Sequence, residues 1–110
     1  MCAFNIIDYH HGSHGEIYAV LYRHNPFSEQ AGDCFSGLIT TAKCSDKFNS
    51  IFNEDNYFKF VYDGFQGELL HDEGLGEIYL SFDFHAIRDI AQFRDAVERM
   101  NKDLTDLEST

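Results

Sequence analysis

"NYFKFVYDGFQGELL", residues 56–70, decides the fold. Side chains in a strand alternate between faces, so Phe58, Phe60 and Tyr62 fall on one side. Tyr57, Lys59, Val61 and Asp63 fall on the other. Asp63-Gly64 is a dipeptide that tolerates the left-handed backbone of a two-residue hairpin turn. The stretch therefore reads as a strand over 56–64 turning into a short return strand over 65–70, which Gly67 weakens. A hairpin makes antiparallel neighbours, and that sets the class.

Working towards the C-terminus, "HDEGLG" (71–76) is a loop, and "EIYLSFDF" (77–84) alternates again. Ile78, Leu80, Phe82 and Phe84 point inward, and Glu77, Tyr79, Ser81 and Asp83 outward. Asp89 then offers an N-cap with Gln92 three residues on, a relaxed capping box. Ile90, Phe93, Val97 and Met100 follow at helical spacing, with Arg94, Asp95, Glu98, Arg99 and Lys102 opposite. Residues 103–110 are expected to fray.

Towards the N-terminus, "SDKFNSIFN" (45–53) reads as a short helix, with Ser45 as N-cap and Phe48, Ile51 and Phe52 on one face. "CFSGLITTA" (34–42) stays open between a strand, favoured by Ile39, Thr40 and Thr41, and a helix. "HNPFSEQAGD" (24–33) is a loop. "CAFNIIDY" (2–9) and "EIYAVLYR" (16–23) are strands joined by "YHHGSHGE" (9–16). The expected fold is α+β: a mostly antiparallel sheet of four to six strands, with a short central helix and a C-terminal amphipathic helix on one face. All 110 residues form one domain, 1–110, and such a chain buries roughly two thirds of its unfolded surface.

Eleven Phe and six Tyr argue against disorder. Met1 to Tyr9 has neither the basic start nor the long apolar run of a secretory signal, and no stretch approaches the ~20 apolar residues of a membrane helix. Cys2, Cys34 and Cys44 form no CxxC pair. A reducing cytoplasm with free thiols is the expected setting. The net charge of −11 exceeds the magnitude of about 2 to 8 that solubility asks of a small domain. It disfavours nucleic acid and anionic membranes as partners, because both need clustered Lys and Arg.

Only the histidine stretch looks like chemistry. His10, His11 and His14, with Asp8, Glu16, His24 or His71, offer a zinc set by residue type. Against it, adjacent strand residues face opposite ways, HExxH is absent, and Gly12 and Gly15 suit a hairpin loop. The stretch reads as a turn, and a small metal-binding protein or enzyme built on it is the alternative. No G-x-S-x-G or G-x-x-x-x-G-K-[ST] is present, and Asp72 and Glu73 make a poor glycosidase couple in a short chain without Trp. No enzyme activity and no metal or other cofactor are expected.

Charge placement is the stronger signal. Phe60 to Ala86 contains no Lys or Arg but holds Asp63, Glu68, Asp72, Glu73, Glu77 and Asp83. Acids alternate there with aromatics, as in an interface whose aromatic anchors sit in a polar rim. Asp63, Glu68, Asp72, Glu73 and Glu77 are the candidate charge contacts, with Tyr79 as anchor. Edge protection of an exposed strand accounts for some of these acids.

In size, charge and α+β make-up the whole chain resembles bacterial immunity proteins, such as those of contact-dependent growth inhibition systems, the colicin nucleases and barstar. The resemblance implies a cytoplasmic inhibitor of a basic toxin, a nuclease first among them, and assigns no individual residue. An acidic DNA mimic that blocks a DNA-binding protein shares these electrostatics.

Overall fold

The computed structural model describes residues 4–12, 16–23, 27, 29–83 and 87–108, with side chains as far as Asp103. Six strands, β1 (Asp8–His11), β2 (Ile17–Arg23), β3 (Phe48–Glu54), β4 (Tyr57–Tyr62), β5 (Phe65–Asp72) and β6 (Glu77–Phe82), form one sheet. Its order is β1-β2-β6-β5-β4-β3, and every neighbouring pair is antiparallel. Helix α1 (Glu29–Lys43) carries the chain from β2 to the far edge at β3, and α2 (Ile90–Glu108) follows β6. Both helices cover the same face, so the class is α+β.

The alternating stretches form as their pattern demands. Phe58, Phe60, Tyr62, Leu69, Ile78, Leu80 and Phe82 are buried under the helices. The turn between β4 and β5 has Asp63 at φ 50 and Gly64 at φ 87, the pair of positive angles that an Asp-Gly hairpin supplies. Gly67 lies on the buried side, opposite Phe60 on β4 and Phe82 on β6. A Cβ there would meet Phe60 Cζ at 2.5 Å and Phe82 Cδ1 at 3.1 Å. The glycine admits two phenyl rings across its backbone rather than merely weakening the strand.

Two elements differ from expectation. The central helix is α1, not 45–53, and it takes in much of the expected loop over 24–33 and the whole of 34–42. Ala31, Phe35, Leu38, Ile39 and Ala42 form its buried stripe. The β-branched cluster is accommodated because Thr41 Oγ1 donates to the Gly37 carbonyl at 2.8 Å, inside the helix. Ser45 caps no helix; its N–H and those of Cys44 and Phe48 close tight turns onto Ala42, Thr41 and Ser45. The chain then enters β3, where Phe48 is buried while Ile51 and Phe52 are exposed. The apparent helical spacing of those three arises from a bulge between Ser50 and Phe52. β3 is a free edge and carries no charged residue before Glu54.

At the N-terminus, β1 spans only Asp8–His11. Before it, Ile7 N–H donates to the Val20 carbonyl of β2 at 2.8 Å, and Phe4 is tied to α2 by the Asn101 side chain, which accepts from its N–H at 2.9 Å and donates to its carbonyl at 3.0 Å.

Asp89 caps α2 as expected: its Oδ1 accepts the Gln92 N–H at 2.8 Å, while Gln92 Oε1 accepts the Arg88 N–H at 2.8 Å. Phe93, Val97 and Met100 are buried. The helix continues through 103 to Glu108, and Asp103 is anchored rather than frayed. Its carboxylate accepts from the Tyr62 hydroxyl and from Lys47 Nζ at 3.0 Å. The Tyr62 hydrogen bond, opposed by desolvation and helped by Lys47 and Arg99, holds the Asp103 carboxyl below its ordinary 3.8. A depressed carboxyl stabilises the fold above its ordinary pKa, and that stability is lost as pH falls through the folded value. Tyr62→Phe is therefore expected to cost about 1.5–3 kcal/mol at neutral pH and to flatten the loss of stability below the ordinary carboxyl pKa. Urea melts at neutral and acid pH check it; parallel pH profiles for wild type and variant would refute it.

Candidate binding face

Alternation leaves the second face of the sheet uncovered by either helix, and register aligns its side chains in three rows. One row runs His10, Tyr18, Ser81, Glu68, Lys59 and Phe52 across all six strands. The next runs Asp8, Val20, Tyr79, Leu70, Tyr57 and Glu54. The third runs Arg23, Glu77 and Asp72. These rows enclose an open groove of about 680 Å³ that reaches from β1 to β4, within the size range of ligand clefts. Leu70, 44% exposed, lies between Tyr79 on β6 and Tyr57 on β4.

Tyr79 donates to Glu77 Oε2 at 2.8 Å, and the Glu68 carboxylate acts on Tyr57. Burial first, and then these glutamates, push both phenols up to about 12. The two acids lie in the rows on opposite sides of the tyrosine row, Glu77 beside Tyr79 and Glu68 beside Tyr57. The groove is an apolar trough with acids on both sides of its centre.

Of the residues singled out by sequence, Glu68, Asp72, Glu77 and Tyr79 come together on this face. Glu73 lies in the β5–β6 turn at one end, where its carbonyl accepts the Phe27 N–H at 2.8 Å. Asp63 does not join them: it sits in the β4–β5 turn at the other end of these strands, where its carboxylate accepts from Arg99 of α2 at 3.1 Å. Tyr57, one of the aromatics interleaved with the acids in the sequence, joins them, and register also brings in Tyr18 and Leu70, which reading along the chain missed, as aromatic and apolar lining. Two bases arrive with them. Lys59 stands opposite Glu68, and Arg23 reaches Asp8 and Glu77 at 3.8 and 3.9 Å, too far for hydrogen bonds. The face is thus acidic with two cations set into it, rather than wholly acidic. A signal for the tyrosines was present, since Tyr57 and Tyr79 both occupy outward positions of clearly alternating strands. Phe27 had no such signal: it is 76% exposed and held at φ 59, an uncommon conformation for a bulky residue.

Within the histidine stretch, His10 and His11 end β1. His10 and His11 pair with Tyr18 and Ile17 on successive positions, so they face opposite sides. Gly12 N–H bonds to the Glu16 carbonyl at 2.8 Å. Ser13, His14, Gly15 and His24 lie outside the described residues. Among the described residues no three His, Cys, Asp or Glu side chains group as a metal site. His71 is on the helix-covered side, 6% exposed and against the Phe35 ring at 5.6 Å. Among the described residues its Nε2 has no hydrogen-bond partner. An unsatisfied buried polar atom costs free energy, so His71→Leu is expected to leave stability unchanged or raise it by about 1 kcal/mol. Thermal melting checks this, and a clear drop in Tm would show that Nε2 is satisfied.

Among the described residues, no helix is long and apolar enough to cross a membrane. Comparison with protein-family models, curated proteins and solved structures finds no match to this chain.

Proposed function

We propose that this chain captures and neutralises a basic protein in the cytoplasm, in the manner of immunity proteins that inhibit toxin nucleases, through the open face of its sheet. The observation that carries this reading is the trough itself: tyrosines and a leucine framed by Glu68, Glu77 and Asp72 on a face that neither helix covers. Aromatic anchors supply binding energy and surrounding acids steer a cationic partner. A nuclease is basic because it must hold phosphates. The inhibitor presents carboxylates where the substrate presents phosphates.

The test begins with capture from the strain that encodes the protein, over a salt gradient. The captured polypeptide is then expressed in a laboratory host with and without this chain. The expected result is a basic protein, released steeply by salt, that arrests growth alone and not in the presence of this chain. A captured protein that is acidic, or harmless when expressed, overturns the reading. A captured transcription factor or other DNA-binding protein that is not toxic would instead favour a DNA mimic. Zinc that binds stoichiometrically to untagged protein and raises its Tm would favour the histidine-based alternative.

A further inference from the structure

We propose that the groove on the open face receives one arginine side chain of the basic partner, its guanidinium against Glu68 and its aliphatic stem on Leu70 between Tyr57 and Tyr79. The proposal rests on the basic-partner reading above and adds the chemistry of what enters the groove. Three observations support it.

The first is where Glu68 is engaged. Lys59 stands directly opposite it in the β4–β5 register, the position from which a cross-strand ion pair forms most readily. Among the described residues Glu68 makes no ion pair, and its carboxylate acts instead on Tyr57, a residue of the Leu70 row. A carboxylate accepts several donors, so Glu68 has capacity for one arriving over Leu70.

The second is the inequality of the two ends. At the Glu77 end the chain supplies its own guanidinium: Arg23 lies 3.9 Å from Glu77 and 3.8 Å from Asp8. At the Glu68 end no guanidinium is supplied from within the described residues. The groove thus has one end where its own arginine sits beside acids and one where the neighbouring base, Lys59, makes no ion pair with Glu68 among the described residues.

The third is the trough between them. Leu70 is a large apolar side chain, 44% exposed, flanked in its row by the Tyr57 and Tyr79 rings, the Tyr79 hydroxyl being bound to Glu77. A ligand that is charged at its tip and apolar along its stem satisfies both parts. Arginine fits better than lysine. Its planar guanidinium stacks on aromatic rings, bonds a carboxylate through a fork, and is less strongly hydrated than an ammonium.

The test is a heteronuclear NMR titration of the full chain at low salt with N-acetyl-arginine methylamide, in parallel with the lysine and norleucine analogues. The expected result is a saturable shift centred on the amides of Tyr57, Leu70 and Tyr79. Lysine should bind several-fold more weakly, and norleucine should give no saturation. Glu68→Gln should weaken the arginine compound by about tenfold, the loss expected when a charged acceptor becomes neutral. Leu70→Lys, which lays a cationic stem in the trough, should abolish it. The same spectra verify that both variants are folded. Shifts spread without saturation over the surface overturn the proposal, as does equal binding of arginine and lysine or a Glu68→Gln variant that binds like wild type. If the arginine compound fails while the captured toxin still binds and Glu68→Lys with Glu77→Lys still impairs it, only the groove's occupant is wrong. If neither compound nor basic protein binds, the wider reading falls with it.

Discussion

Glu68→Lys combined with Glu77→Lys is expected to slow association with the basic partner by about tenfold to a hundredfold at low salt, the scale on which electrostatic steering operates. The two residues stand on either side of Leu70, and each reversal puts a cation where the partner needs an anion. Glu68→Lys also faces Lys59, and Glu77→Lys faces Arg23. Like charges directly opposite in a sheet destabilise by up to about 1 kcal/mol each, too little to unfold an ordinary domain. The matched control is Asp95→Lys with Glu98→Lys on exposed positions of α2, which changes the net charge of −11 equally on the other layer of the molecule. Stopped-flow mixing over a salt series separates the cases. The open-face pair should be slow at low salt and approach wild type as the Debye length contracts, and the α2 pair should change little. Equal slowing by both pairs would assign the effect to total charge and remove the face from consideration.

Gly67→Val is expected to cost about 3 kcal/mol, the upper part of the range for overpacking a core. A Cβ at 67 would lie 2.5 Å from Phe60 Cζ and 2.8 Å from Cε2, so the ring must move. It has little room, because Phe60 is fully buried with the Phe58 and Phe48 rings each 5.5 Å away. On the other side Phe82 is packed edge-on against Phe93 at 4.9 Å. The strain therefore passes into the sheet–helix interface. Gly67→Ala should cost less, since the clash is offset by about 0.4–1 kcal/mol from a less flexible unfolded chain. Phe60→Leu removes the far ring atoms, so the double variant with Gly67→Ala should be more stable than the sum of the two single losses, a coupling of at least about 0.5 kcal/mol. Denaturant melts of the four proteins test this; strict additivity would show that Phe60 does not fill the space above the glycine.

How far the sequence disclosed this architecture follows from which interactions are local. β4, β6 and the Asp63-Gly64 turn were legible because alternation and turn chemistry are written into consecutive residues. The cap and stripe of α2 were legible for the same reason. α1 was not, because Ile39, Thr40 and Thr41 favour a strand by propensity while Ala31, Phe35, Leu38 and Ile39 favour a helix by spacing, and packing on the sheet decides for the helix. β3 misled in the opposite direction, since a single bulged residue, Ile51, turns a strand pattern into a helical one. On the binding face, the run of acids could be counted along the chain. Tyr79, two residues from Glu77, could be read with them; that it shares a row with Leu70 and Tyr57 could not, because only the β4–β5 and β5–β6 registers bring those three together. Lys59 stands just before the base-free stretch Phe60–Ala86 and Arg23 well ahead of it, and pairing folds both back among the acids.

The bulge at Ile51 has a consequence for how the protein behaves when crowded. A border strand with free amide groups and no charge before Glu54 is open to recruitment by a neighbouring molecule. The extra residue divides that border into Phe48–Ser50 and Phe52–Glu54, runs too short to hold a stray chain in register. A bulge discourages edge pairing by bending the main chain, and such a kink does not depend on pH or salt.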